Sequence, residues 1–375
     1  MANVGRTENE NKGKSTWFDL ENKLKWKPTS RHDLVVAESK MFEFVRSTLD
    51  KFYVVLKNGN QLWTVAANKS VSDKIPLVMV HGFAGGVGLW SQNIDALAEQ
   101  RSVYMFDLLG FGKSSRCKFA SSATDVEDQF VQSIEDWRQV VNIDEMVLLG
   151  HSFGGYLVSC YALRYPDRVR SLVLVDPWGF PLNSSNESPF KQWRKALYRV
   201  LKAFIPLGEN RPAYPWEDPH LIQDGVVVMS VFNPLKPIRG AGPWGPELLK
   251  KFRWDFKDRF PEISRKDENA VFDYLFHCNA QKPTGELAFK VLNQNFGFAY
   301  RPMLSRIAGI RKTIPVTFIF GEKSWIDSHS GYATQLMLTE NKVCVHEVVN
   351  AGHHVYADNA KDFNCIVKSL CDALD

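Results

Sequence analysis

From Pro76 onward the chain alternates short, unbroken aliphatic runs with longer amphipathic ones. PLVMVHGF, SVYMFDLLG, EMVLLGHS and VRSLVLVDP read as strands; LWSQNIDALAEQ, residues 123–141 and GGYLVSCYALRYP between them read as helices. Strands that are apolar at every position are covered on both faces, so the pattern predicts an α/β fold with a mostly parallel, doubly wound sheet. After Phe180 the alternation stops and a Pro-, Trp- and Phe-rich stretch runs to about residue 310. Strand signals then resume with IPVTFIFGE and KVCVHEVV, before a closing helix from about Ala360. Upstream, residues 33–48 read as a helix, and FYVVLKNGNQLWTVAA reads as a hairpin whose Asn58-Gly59 suits a tight primed turn. The expected organisation is a polar tail with a Trp-containing segment over 1–50, a first core part over 51–180, a helical cap over 181–310 and a second core part over 311–375.

Composition narrows this picture without changing it. A chain of 375 residues with 45% hydrophobic residues is long enough for a substantial core. The net charge of +4 is scattered over the chain, so nucleic acid is not the expected partner. Eleven Trp and twenty-five Phe exceed what a core alone requires and point to an apolar ligand or interface. Cys117, Cys160, Cys278, Cys344, Cys365 and Cys371 lack both CxxC and zinc spacing, so free thiols and no metal are expected. The polar N-terminus MANVGRTENENKGKS has no apolar secretory core and no uncharged run spans a bilayer, so the expected location is cytosolic, free or peripheral on a membrane.

The strand EMVLLGHS runs straight into GHSFGG and a helix. A strand-to-helix turn this sharp strains its central residue and crowds the positions two away on either side, which here are Gly150 and Gly154, with Gly155 adding room. Ser152 would then stand at a helix N-terminus, where amide N–H groups favour developing negative charge. A serine hydroxyl needs a base to take its proton. NAGHHVYAD, after the last strand, supplies one: His353 is preferred to its rival His354, because Gly352 permits the turn that brings it back. The carboxylate that would orient the histidine stays open. Asp327, in the loop after TFIFG, is preferred; Glu322 sits too close to the strand end, and Asp176 at the end of the preceding strand offers another geometry. Three residues after Gly321, where many hydrolases place the acid, stands Ser324. The oxyanion donors would be the amides of Phe153 and of Phe83 in HGFAGG, where His81-Gly82 lets the backbone turn inward. No cofactor is required by this chemistry.

Two segments raise the question of a lipid surface. FKQWRKALYRVLKAF, residues 190–204, places Phe190, Trp193, Leu197, Val200, Leu201 and Phe204 on one helical face opposite Lys191, Lys195, Arg199 and Lys202. Such a helix either packs as a lid with a solvated basic face or lies on an anionic membrane. Trp17 and Trp26, interleaved with lysines and without an obvious core to join, are expected to anchor at an interface.

These residues together resemble the α/β-hydrolase family, in particular the subfamily of the lysophospholipase and N-acyl-phosphatidylethanolamine lipase and the lipid-droplet coactivator of triacylglycerol lipase. The similarity runs through WKPTS, HGFAGG, DLLGFGKSS, GHSFGG, LVDPWGFP, RPML and GHHVYADNAKDFN. It implies a serine hydrolase of glycerolipid acyl esters, cytoplasmic and peripheral on lipid droplets or membranes, with a triacylglycerol lipase or droplet coat protein as partner. Subfamily members differ at the elbow: the coactivator type carries asparagine, so the alternative is a non-catalytic coactivator, and this chain carries Ser152. The resemblance also implies an acyltransferase-like H-x4-D motif, His353 to Asp358, and an acyltransferase activity on lysophosphatidic acid. The plainer alternative is that Asp358 caps the final helix.

Overall fold

A computed structural model describes residues 29–69, 74–182, 235–294 and 298–374. Trp17, Trp26 and the amphipathic segment 190–204 lie outside the described residues. Ten strands are present among the described residues: β1 (Leu49–Val55), β2 (Gln61–Ala67), β3 (Leu77–Val80), β4 (Val103–Phe106), β5 (Met146–His151), β6 (Val169–Val175), β7 (Asn293–Gln294), β8 (Phe298–Ala299), β9 (Val316–Gly321) and β10 (Val343–Val348). β7 and β8 form a separate two-residue ribbon. The other eight make one sheet in the order β1-β2-β4-β3-β5-β6-β9-β10, antiparallel only where β2 meets β1 and β4.

The period of two along each central strand divides its side chains between two cores. Val78, Val80, Leu148, Leu172 and Leu174 join one cluster; Leu77, Met79, Val147, Leu149, Val173 and Val175 join the other. Helix Ala123–Val140 sends Phe130, Ile134 and Trp137 into the first, and helix Ala270–Asn279 sends Val271, Phe272, Tyr274 and Phe276 into the second. Burial on both faces is the reason the strands are apolar at every position.

Three local expectations give way. The helix read over 33–48 spans Arg31–Met41: Ser30 caps it by accepting from the Asp33 N–H, and Asp95 takes the Arg46 and Ser47 N–H groups, holding the chain out of helix. The helix read in LWSQNIDALAEQ is broken into Val87–Trp90 and Ile94–Leu97, because the buried Asn93 amide between them donates to the Tyr356 carbonyl and to Asn364. In the hairpin only Gly59 has positive φ (80°); the Gly59 N–H meets the Leu56 carbonyl at 2.9 Å, so a type I turn closes on a left-handed glycine in place of a primed pair. No helix among the described residues is long and apolar enough to cross a membrane.

Candidate active site

β5 delivers its chain at Gly150 into a turn whose central residue, Ser152, sits at φ 53°, ψ −116°, before helix Phe153–Arg164 begins. The left-handed backbone is held from both sides: the Ser152 N–H donates to the Val175 carbonyl at 2.9 Å, and the Ser152 carbonyl accepts from Trp178 N–H at 3.0 Å. Only glycine fits around it. A Cβ on Gly150 would meet the Gly154 carbonyl oxygen at 2.5 Å, and one on Gly154 would meet the Val80 carbonyl oxygen at 2.5 Å. The serine is 7% exposed.

Its hydroxyl lies 3.0 Å from His353 Nε2, and His353 Nδ1 lies 2.5 Å from Asp176 Oδ2. The orienting carboxylate is therefore Asp176, and the preference for Asp327 is corrected. β6 and β9 are adjacent in the sheet, so both loops open towards the histidine, and their local geometry separates them. Asp176, at φ 45° and fully buried, turns its side chain across the end of β9; Asp327 is exposed and accepts from the His329 N–H at 2.9 Å. Ser324 donates its hydroxyl to Asp176 Oδ2, and the Gly321 N–H reaches Oδ1 at 3.4 Å. Glu322 accepts from Asn350 N–H on the surface.

The imidazole stands in a low-dielectric setting. Burial first, then Arg253 and Arg259, holds His353 well below the ordinary imidazole value, at about 3, so it rests as a neutral base. Burial also pushes the Asp176 carboxyl up, opposed by the Ser324 and Gly321 donors. With Nδ1–H directed to Asp176, Nε2 is the free acceptor for the serine proton.

The loop after β3 lies against the nucleophile: a Cβ on Gly82 would sit 2.9 Å from Ser152 Cβ. The Gly85 N–H to Gly82 carbonyl bond at 3.1 Å, with Ala84 at φ 59°, folds this loop into a turn that carries Phe83. His81 fixes its base, bonding the Gly82 carbonyl through Nδ1 at 2.7 Å and accepting the Leu108 N–H at Nε2 at 2.9 Å. Neither the Phe83 nor the Phe153 amide has a hydrogen-bond partner among the described residues, so both remain as donors beside Ser152. Phe289 stacks on Phe83 at 4.5 Å and meets Phe153 at 4.8 Å and Trp178 at 4.7 Å, making the flank of the site apolar.

Sequence reasoning did not find four contributors. His151 lies 2.8 Å from the His353 carbonyl through Nε2 and steadies the histidine loop from inside the elbow motif. Ser324 supports the acid from the position expected to supply it. Arg259 bonds Asp358 from the inserted helices, about a hundred residues upstream, and Arg253 bonds Asp255 beside it; no local signal could have linked them to the motif. His354, the rival histidine, packs its ring on Phe256 at 4.9 Å and is not at Ser152. Asp358 does not cap the final helix: Asn359 does, accepting from the Asp362 N–H, while Asp358 bonds the Gly352 N–H and Arg259. All six cysteines are free, and no metal-binding group of His, Cys, Asp or Glu occurs among the described residues.

A buried serine, a neutral imidazole and a buried carboxylate in series, with two open amides beside the serine, is an arrangement for acyl transfer. The profile of the alpha/beta hydrolase fold matches residues 75–217. Over 350 residues the chain is 43% identical to the (lyso)-N-acylphosphatidylethanolamine lipase of Homo sapiens, covering 92% of this chain and 94% of that protein. It is 42% identical to the 1-acylglycerol-3-phosphate O-acyltransferase of Mus musculus, again over 92% of this chain and 91% of the other. A carboxylesterase from Bacillus subtilis superposes with a TM-score of 0.59 at 17% identity, over 90% of this chain and 97% of that one. A bacterial membrane phospholipase A does so with a TM-score of 0.55 at 18% identity, over 96% of both chains.

Proposed function

Because the chain belongs to the α/β-hydrolase fold family, we propose that it is a serine hydrolase of glycerolipid acyl esters, with phospholipids, lysophospholipids or N-acyl-phosphatidylethanolamine as the substrate class. The observation that carries this reading is the continuous chain Ser152 Oγ, His353, Asp176, with contacts of 3.0 and 2.5 Å. Ser152 attacks the ester carbonyl as His353 takes its proton; the developing oxyanion is held by the Phe83 and Phe153 amides; His353 returns the proton to the departing alcohol. Each such donor is worth about 3 kcal/mol in related sites. Water then attacks the acyl-enzyme with His353 again as base. The apolar flank of Phe83, Phe153, Trp178 and Phe289 suits an acyl chain.

The same acyl-enzyme gives an acyltransferase when a lysophospholipid hydroxyl replaces water, a second reading favoured by the 42% identity to a 1-acylglycerol-3-phosphate O-acyltransferase. A substrate class of this kind supports a peripheral location on a lipid droplet or membrane surface, with Trp17 and Trp26 as the proposed anchor. Labelling by a fluorophosphonate probe tests the hydrolase: the wild-type chain labels and Ser152→Ala does not. A folded wild-type chain that resists the probe would sink the reading and leave the non-catalytic coactivator of a triacylglycerol lipase.

A further inference from the structure

The inserted helices touch the catalytic histidine loop through one compact ionic group. Arg259 Nε donates to Asp358 Oδ1 at 2.6 Å, and Asp358 Oδ2 accepts the Gly352 N–H at 2.9 Å. Arg253 makes a fork to Asp255, with both bonds at 3.0 Å, and Arg259 reaches Asp255 as well. All four side chains are between 12 and 16% exposed, so the group is desolvated and balanced, two cations against two anions. Both guanidinium carbons lie over the ring of Phe256, 4.4 and 5.0 Å from its centroid, and the same ring meets the His354 ring at 4.9 Å.

This geometry decides what Asp358 is free to do. Gly352 immediately precedes His353, so the bond to its N–H fixes the loop at the residue that sets the imidazole's direction. His353 has no nitrogen left for Asp358: Nδ1 is on Asp176 and Nε2 is on Ser152. Both Asp358 oxygens are occupied, one by backbone and one by Arg259. In an acyl-transfer dyad the aspartate would orient the histidine ring while the acceptor hydroxyl attacks without an enzyme nucleophile; here no contact serves that step.

Resting on the hydrolase reading above, we propose that Asp358 is a positioning residue, which with Arg259 clamps the inserted helices to the His353 loop, and that the H-x4-D pair is not an acyl-transfer dyad. Any acyl transfer then runs through Ser152. The ester C–O bond breaks as the Ser152 acyl bond forms, and the proton passes through His353 to the departing alcohol. The acceptor hydroxyl then attacks the acyl carbon, its proton passing through His353 back to Ser152 as the serine ester bond breaks.

The test compares the full-length wild type with Asp358→Asn, Arg259→Gln and the double variant, measuring fluorophosphonate labelling, hydrolysis of a short-chain p-nitrophenyl ester, and acyl transfer from that ester to lysophosphatidic acid. Each single variant should lose about tenfold or more in kcat with KM within about twofold, because loop misplacement acts on geometry and not on binding. The double variant should be little worse than either single one, as expected for partners in one contact. Hydrolysis and any transfer should fall together. The acid limb of kcat/KM gives a readout that simple loosening would not move. His353 faces Asp176, His151, His354, Arg253, Arg259 and Asp358; removing the Arg259 cation should move the limb to higher pH, and removing the Asp358 anion should move it to lower pH. Asp358→Asn that abolishes transfer and spares hydrolysis would overturn the inference, as would wild-type kcat and pH profile in both single variants. A wild-type chain that does not label overturns the hydrolase reading and this inference with it, whereas labelling of the wild type with unaltered variants overturns this inference alone. Should Asp358→Asn fail to fold, Arg259→Gln carries the same kcat, transfer and pH tests from the opposite side of the contact.

Discussion

Ser324 donates its hydroxyl to the same oxygen of Asp176 that holds His353 Nδ1. The pair joins β9's loop to β6's, and the Ser324 Oγ in turn accepts the Ile326 N–H at 3.1 Å, fixing the hydroxyl's aim. A hydrogen bond to a charged group contributes about 1.5–3 kcal/mol. Ser324→Ala should therefore lower kcat roughly ten- to hundredfold while Ser324→Thr retains most of it; steady-state kinetics on a soluble ester will measure this, and an unaffected alanine variant would remove Ser324 from the site.

The choice between carboxylates has a direct test. Asp176→Asn keeps the shape but cannot hold the imidazole in its productive tautomer, and kcat should fall roughly ten-thousand-fold. Asp327, exposed and engaged with its own loop, should tolerate Asn within about twofold. The reverse ranking would restore Asp327 as the acid.

Backbone contact brings the histidine loop to the sheet. A Cβ on Gly321 would lie within 2.2 Å of the Gly352 carbonyl oxygen and 2.6 Å of the Ala351 carbonyl oxygen, so a side chain there must push the loop away. Gly321→Ala is expected to cost about 1–3 kcal/mol of stability and most of the activity. Thermal unfolding and fluorophosphonate labelling report the two effects separately. Equal losses from Gly240→Ala, where a Cβ meets nothing within 4 Å, would show that the close approach is not the cause.

Burial depresses the imidazoles of His81, His151, His353 and His354. As pH falls below about 6.5 the unfolded chain binds protons that these four groups refuse in the folded state, so folding stability present at neutral pH is lost on acidification. Glu38, pushed up to about 7 by burial, and Asp176, Asp273 and Glu286, also raised by burial, act in the opposite sense, while His277, depressed by burial as well, adds to the histidines, whose surplus sets the sign. The urea midpoint should be lower at about pH 5.5 than at about pH 7.5. In the protein that remains folded, labelling of Ser152 should persist below the ordinary imidazole pKa, since His353 stays neutral until pH approaches about 3. A labelling rate that halves near pH 6.5 would contradict that assignment.

Much of this molecule is local in origin and legible in one dimension. The apolar strands, the helices between them, the glycines around Ser152 and the glycine before His353 follow from period, side-chain volume and backbone freedom, which act over a few residues. The mostly parallel eight-stranded sheet and the elbow could accordingly be read from the chain. The helix at 33–48 failed because Asp95, far along the chain, captured the Arg46 and Ser47 backbone donors, whereas the primed hairpin turn failed locally, the Leu56 carbonyl taking the Gly59 N–H with Gly59 alone in the left-handed region. The acid was beyond local reasoning for a stronger reason. β6 and β9 are separated by the whole insertion yet lie side by side, presenting two loops with carboxylates to one histidine. Which carboxylate turns inward depended on the backbone at Asp176 and on the Ser324 hydroxyl across the strand boundary, and the meeting of Arg259 with Asp358 depended on where the inserted helices dock. Sequence by itself determined the elements and the elbow, because those energies are short-range; the tertiary structure decided the partners of His353 and Asp358, because burial and ion pairing depend on distance in space and not along the chain.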